Sequence, residues 1–204
     1  MAAILQSLQR TVIAGFGLLI GLYIIFGIIK GFPGIEKGWL TELFRWLHVL
    51  SGVMWIGLLY YFNFVQMPSM PKIPDEQKPA VSKVIAPTAL FWFRWAALST
   101  LVTGLIVALL KGYIVHALTL GLVASGTSSS TAIGVGMWLG IIMAYNVWMI
   151  IWPNQQRALG LVEAAPDVKA KSARMAMLTS RFNTMLSVPM LFCMIAGAHG
   201  VLTN

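Results

Sequence analysis

Charge is what this sequence has least of. Only 10% of its 204 residues are charged, against roughly a quarter in soluble domains. Meanwhile 58% are hydrophobic and the mean hydropathy is +0.81. An ordinary water-soluble globule and a disordered tail are both excluded. There is one cysteine, Cys193, so no disulfide forms within the chain, and no C-x-x-C-H run is present to attach a c-type haem. Phosphate loops, nucleophile elbows and paired intramembrane carboxylates are also missing, which leaves hydrolase and NTP-driven readings without support. The net charge of +8 does not point to nucleic acid. The basic residues lie between long apolar runs, not in a stripe beside stacking aromatics.

What the chain has in abundance is apolar runs of membrane length. A bilayer core takes about 20 mostly apolar residues per helix, because each backbone polar group must be satisfied within the segment. Five stretches qualify, at about 11–29, 44–65, 90–110, 132–152 and 183–202. The expected fold is therefore all-α, a polytopic membrane helical bundle forming one integral membrane domain over 1–204. Tyr113–Val123 is apolar but too short to span and runs into the Gly/Ser/Thr cluster Ser125–Thr131. It reads as a re-entrant or interfacial segment, with extension of the third helix as the alternative. Arg10 precedes the first run as in a signal peptide, but the run is long for one and no A-x-A-like site follows. It is expected to stay as a spanning helix.

Five spans put Arg10, Lys72, Lys78, Lys83, Arg157, Lys169, Lys171, Arg174 and Arg181 on one side, and Lys30, Lys37, Arg45 and Lys111 on the other. The positive-inside rule then places the N-terminus in the cytoplasm and the C-terminus outside. Met67–Pro79 carries four prolines and is expected to be turn-rich and not helical. Pro166 followed by Asp167 marks a helix start leading into the last span. Gly17/Gly21 and Gly136/Gly140 allow close helix approach.

Polar residues inside apolar helices are costly, so they carry the functional information. His48 and His199 each sit about one turn inside the same end of their spans, and two such imidazoles can ligate one haem iron. Gly52, one turn from His48, and the small residues around His199 leave room for a flat macrocycle. Trp55, deeper in the same helix, either packs on such a cofactor or fills the core. The plainer alternative for the histidines is hydrogen bonding to neighbours or headgroups. His116, in the short segment, is the weaker ligand candidate. At the other end Asn63, Gln66, Arg94, Asn146, Arg181 and Asn183 offer amide and guanidinium groups. They suit a small planar, oxygen-rich ligand such as urate or a quinone headgroup, or else they are interface anchors.

The stretch WLHVLSGVMWIGLLYYFNFVQMP from Trp46 resembles the membrane domain of bacterial urate oxidases. FWFRWAAL from Phe91, MWLGIIMAYNVWMIIWPNQQ from Met137 and SRFNTMLSVPMLFCM from Ser180 are similar to the same family. The positions matching its motifs are His48, Trp55, Gly57, Asn63, Gln66, Arg94, Asn146, Trp148, Asn154, Arg181, Asn183 and His199. The resemblance implies a bacterial inner-membrane protein whose relatives oxidise urate toward 5-hydroxyisourate and pass electrons to a c-type cytochrome. This chain is shorter, with fewer apparent spans and no C-x-x-C-H. Its electron acceptor is thus expected on a separate chain. The leading expectation is a redox protein carrying haem b on His48 and His199. The rival is a non-catalytic subunit of a larger membrane complex. A carrier is the weakest reading, because no intramembrane acidic residue is available for coupling.

Overall fold

A computed structural model describes residues 2–122 and 128–199. The chain is 86% helical, with no strand among the described residues. Five helical stretches are long and apolar enough to cross a membrane: Leu8–Lys30, Lys37–Lys72, Lys78–Lys111, Thr131–Ala158 and Pro166–Ala198. This is a multi-pass membrane protein, and each expected span lies on one of these helices, the last as far as its residues are described. The chain divides into two compact units, Met1–Leu40 and Thr41–Asn204.

The first unit holds the turn α1 (Ala2–Leu5) and the long helix α2 (Leu8–Lys30). Thr11 ties the two together, its hydroxyl donating to the carbonyls of Ile4 and Ser7. Gly31, at φ 87°, ends α2 and turns the chain so that the Phe32 ring lies over Gly27, where any side chain would overlap it.

The second unit is the helical bundle. It comprises α3 (Lys37–Tyr60, from Thr41 onward), α4 (Met67–Ser69), α5 (Lys78–Ala80), α6 (Ala86–Lys111), α7 (Ile114–Leu118), α8 (Ser128–Tyr145), α9 (Trp152–Ala158) and α10 (Pro166–His199). Three π-helical stretches interrupt the α pattern at Tyr61–Gln66, Val81–Ile85 and Asn146–Ile151. α10 packs most extensively on α8, and the core gathers Trp55, Leu59, Phe93, Ala97, Met143 and Val147.

Two local expectations are refined. Met67–Pro79 contains short helical turns, Met67–Ser69 and Met70–Lys72. Pro68 and Pro71 sit at the start of those turns, where the missing N–H has no intrahelical partner to lose. The last helix begins at Pro166, far ahead of the expected span, and runs unbroken to His199. Asp167 lies in its first turn, where the helix dipole favours an anion.

The short segment after α6 neither spans nor prolongs that helix. Gly112, at φ 79°, closes α6 by donating its N–H to the carbonyls of Ala108 and Leu109. α7 then folds back on α8, whose Trp138 donates to the Leu118 carbonyl at 2.9 Å. Gly134 permits this, since a side chain there would strike the Ala117 carbonyl. Gly136 likewise brings α8 close to Cys193 and Met194 of α10, whereas Gly140 faces open space.

Candidate functional site

α3 presents one stripe at i, i+3 and i+4 spacing, namely Arg45, His48, Gly52 and Trp55, to a cavity of about 580 Å³. α6 contributes Thr100 and Gly104 to the opposite wall, and α8 and α10 complete it with Gly140, Met190 and Ala198. The size is that of a cofactor or drug-sized ligand site. Val49, Val53 and Ile195 line the cavity yet are exposed on the bundle surface, so the site borders lipid.

His48 is held in a definite state. Its Nδ1 lies 2.8 Å from the Thr100 carbonyl oxygen. A carbonyl only accepts, so Nδ1 carries the proton in the neutral ring and Nε2 keeps a free lone pair. A backbone carbonyl on the far nitrogen is the usual support of a metal-bound imidazole. Gly104 makes the placement possible, because a Cβ there would lie 2.8 Å from Cε1 and 2.9 Å from Nδ1 of the ring. Ser51 and Ser99 add a hydroxyl–hydroxyl contact of 2.9 Å between the same two helices.

The other residues of this group are placed as follows. Trp55 is 2% exposed, and its Nε1 has no hydrogen-bond partner among the described residues. His199 ends α10 next to Ala198, which lines the cavity. The His199 side chain and Gly200 lie outside the described residues, as do residues 125–127 of the Gly/Ser/Thr cluster. His116 lies on α7 and does not line the cavity.

The polar group at the far end is arranged differently. Asn63 donates from Nδ2 to the Leu59 carbonyl at 2.9 Å and to Ser180 Oγ at 2.8 Å. Asn146 donates to Asn183 Oδ1 at 2.8 Å, and Asn183 donates to the Met143 carbonyl at 3.0 Å. These bonds lace α10 to the π-helical ends of α3 and α8. The Arg94 guanidinium stacks 3.8 Å from the Trp152 ring centroid, and Trp148 donates to the Arg94 carbonyl at 3.2 Å. Three atoms remain buried without partners among the described residues: Asn63 Oδ1, Gln66 Oε1 and Arg94 Nη1. Arg181 is exposed, two residues from the fully buried Asn183, and so lies on another face of α10. None of these six residues lines the cavity.

Arg45, Tyr113, Thr100 and Gly104 were missed by sequence reasoning. Arg45 had a signal, its three-residue spacing from His48, but it counted there only as a topological charge. Tyr113 stood at the start of the short apolar segment with nothing to link it to His48. The other two act through a backbone carbonyl and a missing side chain, which leave no signal.

The model of the family described as urate oxidase N-terminal matches residues 105–204. Over these residues the chain is similar to the urate oxidase N-terminal family. Within that urate oxidase N-terminal stretch lie Asn146, Trp148, Asn154, Arg181, Asn183 and His199 of the motif positions, with Gly140, Met190 and Ala198 of the cavity wall. The motif stretches from Trp46 and Phe91 precede it. No curated protein and no solved structure matches the chain.

Proposed function

We propose that this is a membrane redox protein that passes electrons from a small planar donor, urate-like or a quinol, to a separate c-type cytochrome, with haem b in the cavity as carrier. The observation that carries the reading is His48, its Nδ1 committed to the Thr100 carbonyl and its other nitrogen left for a ligand in an apolar cavity. The residues present fit a macrocycle. His48 would hold the haem iron through Nε2, and His199, at the end of α10, is the proposed second ligand. Gly52 and Gly104 leave room, and Trp55 gives an aromatic wall. A haem bound there supplies one-electron chemistry. The chain itself fixes the imidazole tautomer and surrounds the site with apolar side chains that keep water out.

The family match supports the substrate class. We place the donor at the other end, where Asn63 Oδ1, Gln66 Oε1 and Arg94 Nη1 are left for a ligand. Asn146 and Asn183 hold the helices that carry them, and Arg181 stands at the edge. The proposed location is the bacterial inner membrane, with a cytoplasmic N-terminus and a periplasmic C-terminus, on the uneven distribution of Lys and Arg.

Absorption spectra of the purified chain, oxidised and dithionite-reduced, with a pyridine haemochrome assay, test this. A stoichiometric b-type haem that is lost in His48→Ala and in His199→Ala is expected. Full retention of the spectrum in either variant rejects that residue as a ligand. A colourless protein from haem-supplied cells rejects the mechanism. It favours the second reading, a non-catalytic subunit of a larger membrane complex.

A further inference from the structure

The polar atoms left over on the cavity wall have a common chemistry. Arg45 is the one charged residue among those lining the cavity. It pairs with Glu42, whose carboxylate oxygens approach Nη1 at 2.7 and 2.8 Å. A guanidinium carries five N–H donors, so Nε and Nη2 stay available. Tyr113 lines the cavity from the α6–α7 junction, where its N–H bonds to the Ala108 carbonyl at 3.2 Å. Burial pushes its phenol above the ordinary value, with the Arg45 charge opposing, so the group keeps its O–H at neutral pH. Trp55 Nε1 is an unpartnered donor in the same wall, on a side chain 2% exposed. Among the described residues, none that lines the cavity is acidic. Apart from His48 Nε2, the groups left over all offer donors.

We propose that Arg45 and Tyr113 form a carboxylate-binding rim that takes the acidic edge of a flat, amphipathic tetrapyrrole occupying the cavity. The proposal rests on the haem reading for the identity of the occupant and adds its orientation. Arg45 precedes His48 by one helical turn on the same face, about 4.5 Å along the axis. A macrocycle held at His48 would therefore have its carboxylate side chains within reach of the guanidinium. Planar, bidentate donors suit carboxylates. The Glu42 pair is exposed on both sides and engages only Nη1, so solvent weakens it and Nε and Nη2 are left for a ligand.

The test uses the full chain in nanodiscs of uncharged phosphatidylcholine, titrated by fluorescence with metal-free protoporphyrin IX and with its dimethyl ester. Neither probe makes an axial bond, so His48→Ala leaves both titrations unchanged, and the readout is independent of the iron. The diacid is expected to bind about tenfold more tightly than the ester. Arg45→Gln removes most of that preference and leaves the ester affinity alone. Tyr113→Phe weakens the diacid about threefold. Arg45→Lys keeps the charge and part of the preference, and Glu42→Gln retains all of it. Each variant is checked by thermal melting, and Arg45→Lys covers the case in which Arg45→Gln fails to fold. Equal binding of diacid and ester by the unmodified protein overturns the rim, as does a preference that survives in both Arg45→Gln and Tyr113→Phe. A protein that carries no haem yet shows the Arg45-dependent preference overturns the haem reading and upholds the rim.

Discussion

Two polar regions of one bundle use the same kinds of residue to opposite ends. At the Asn63 end, amides meet amides, hydroxyls and carbonyls, and Asn183 spends both ends of its side chain, accepting from Asn146 and donating to Met143. At the His48 end the polar groups surround a space and keep unspent atoms: one imidazole nitrogen, the spare guanidinium donors of Arg45, and the indole N–H of Trp55. A polar residue in an apolar helix must be satisfied by something. Where a neighbouring helix satisfies it, the residue is architecture. Where a cavity is left, it is a site. Asn63 Oδ1, Gln66 Oε1 and Arg94 Nη1 lie between these cases.

The sharpest way to break this contrast is to exchange the expected effects. His48→Ala abolishes the b-type spectrum entirely while the melting temperature stays near that of the parent, because the ring is only half-buried. A large loss of stability in that variant, with the spectrum retained, makes His48 a packing residue. Asn183→Leu does the reverse. It strands the Asn146 amide and the Met143 carbonyl and costs about 1–3 kcal/mol in a detergent-unfolding titration, with porphyrin binding intact. Gly104→Ala comes next. The new methyl crowds the ring from less than 3 Å, the imidazole turns, and haem affinity falls about tenfold, equivalent to one lost hydrogen bond. Metal-free porphyrin binding remains. The smallest effect is at Asp75, whose carboxyl the Lys78 ammonium holds below the usual carboxylate range. A lowered folded-state pKa gives stability that is present above the unfolded pKa and is lost as pH falls through the folded one. The pair is exposed, so Lys78→Met leaves the acid melting profile unchanged within error.

Much of the fold could be read ahead because bilayer physics acts on composition. Runs of apolar residues gave the five helices, and the His48–Gly52–Trp55 stripe followed from helical spacing alone. The misreadings have local causes. The prolines of Met67–Pro79 were treated as helix breakers, but position within the turn decides their effect, and Pro68 and Pro71 sit at turn starts. Arg181 was grouped with Asn183 by sequence proximity, although two residues along a helix point to different faces. Whether an asparagine is spent or free depends on which helix lies opposite, and no single-chain pattern carries that. From sequence the polar end reads as one pocket; in the structure Asn63, Asn146 and Asn183 make interhelical bonds, and Asn63 Oδ1, Gln66 Oε1 and Arg94 Nη1 keep no partner among the described residues.

The π-helical stretches have a consequence for how chains of this kind can differ in length. Their hydrogen bonds span five residues where the α-helix spans four, and at the junctions side chains serve the displaced carbonyls, Asn63 for Leu59 and Asn154 for Ile150. Deleting one residue within 61–66 restores a plain α-helix, and because the π turn had already taken up that residue the later side chains of the helix keep their faces. The stripe from Arg45 to Trp55 lies upstream and is untouched. Single-residue gaps between related sequences at 61–66 or 146–151 are thus absorbed where they fall, a π turn giving way to an α turn while both ends of the bundle keep their aim.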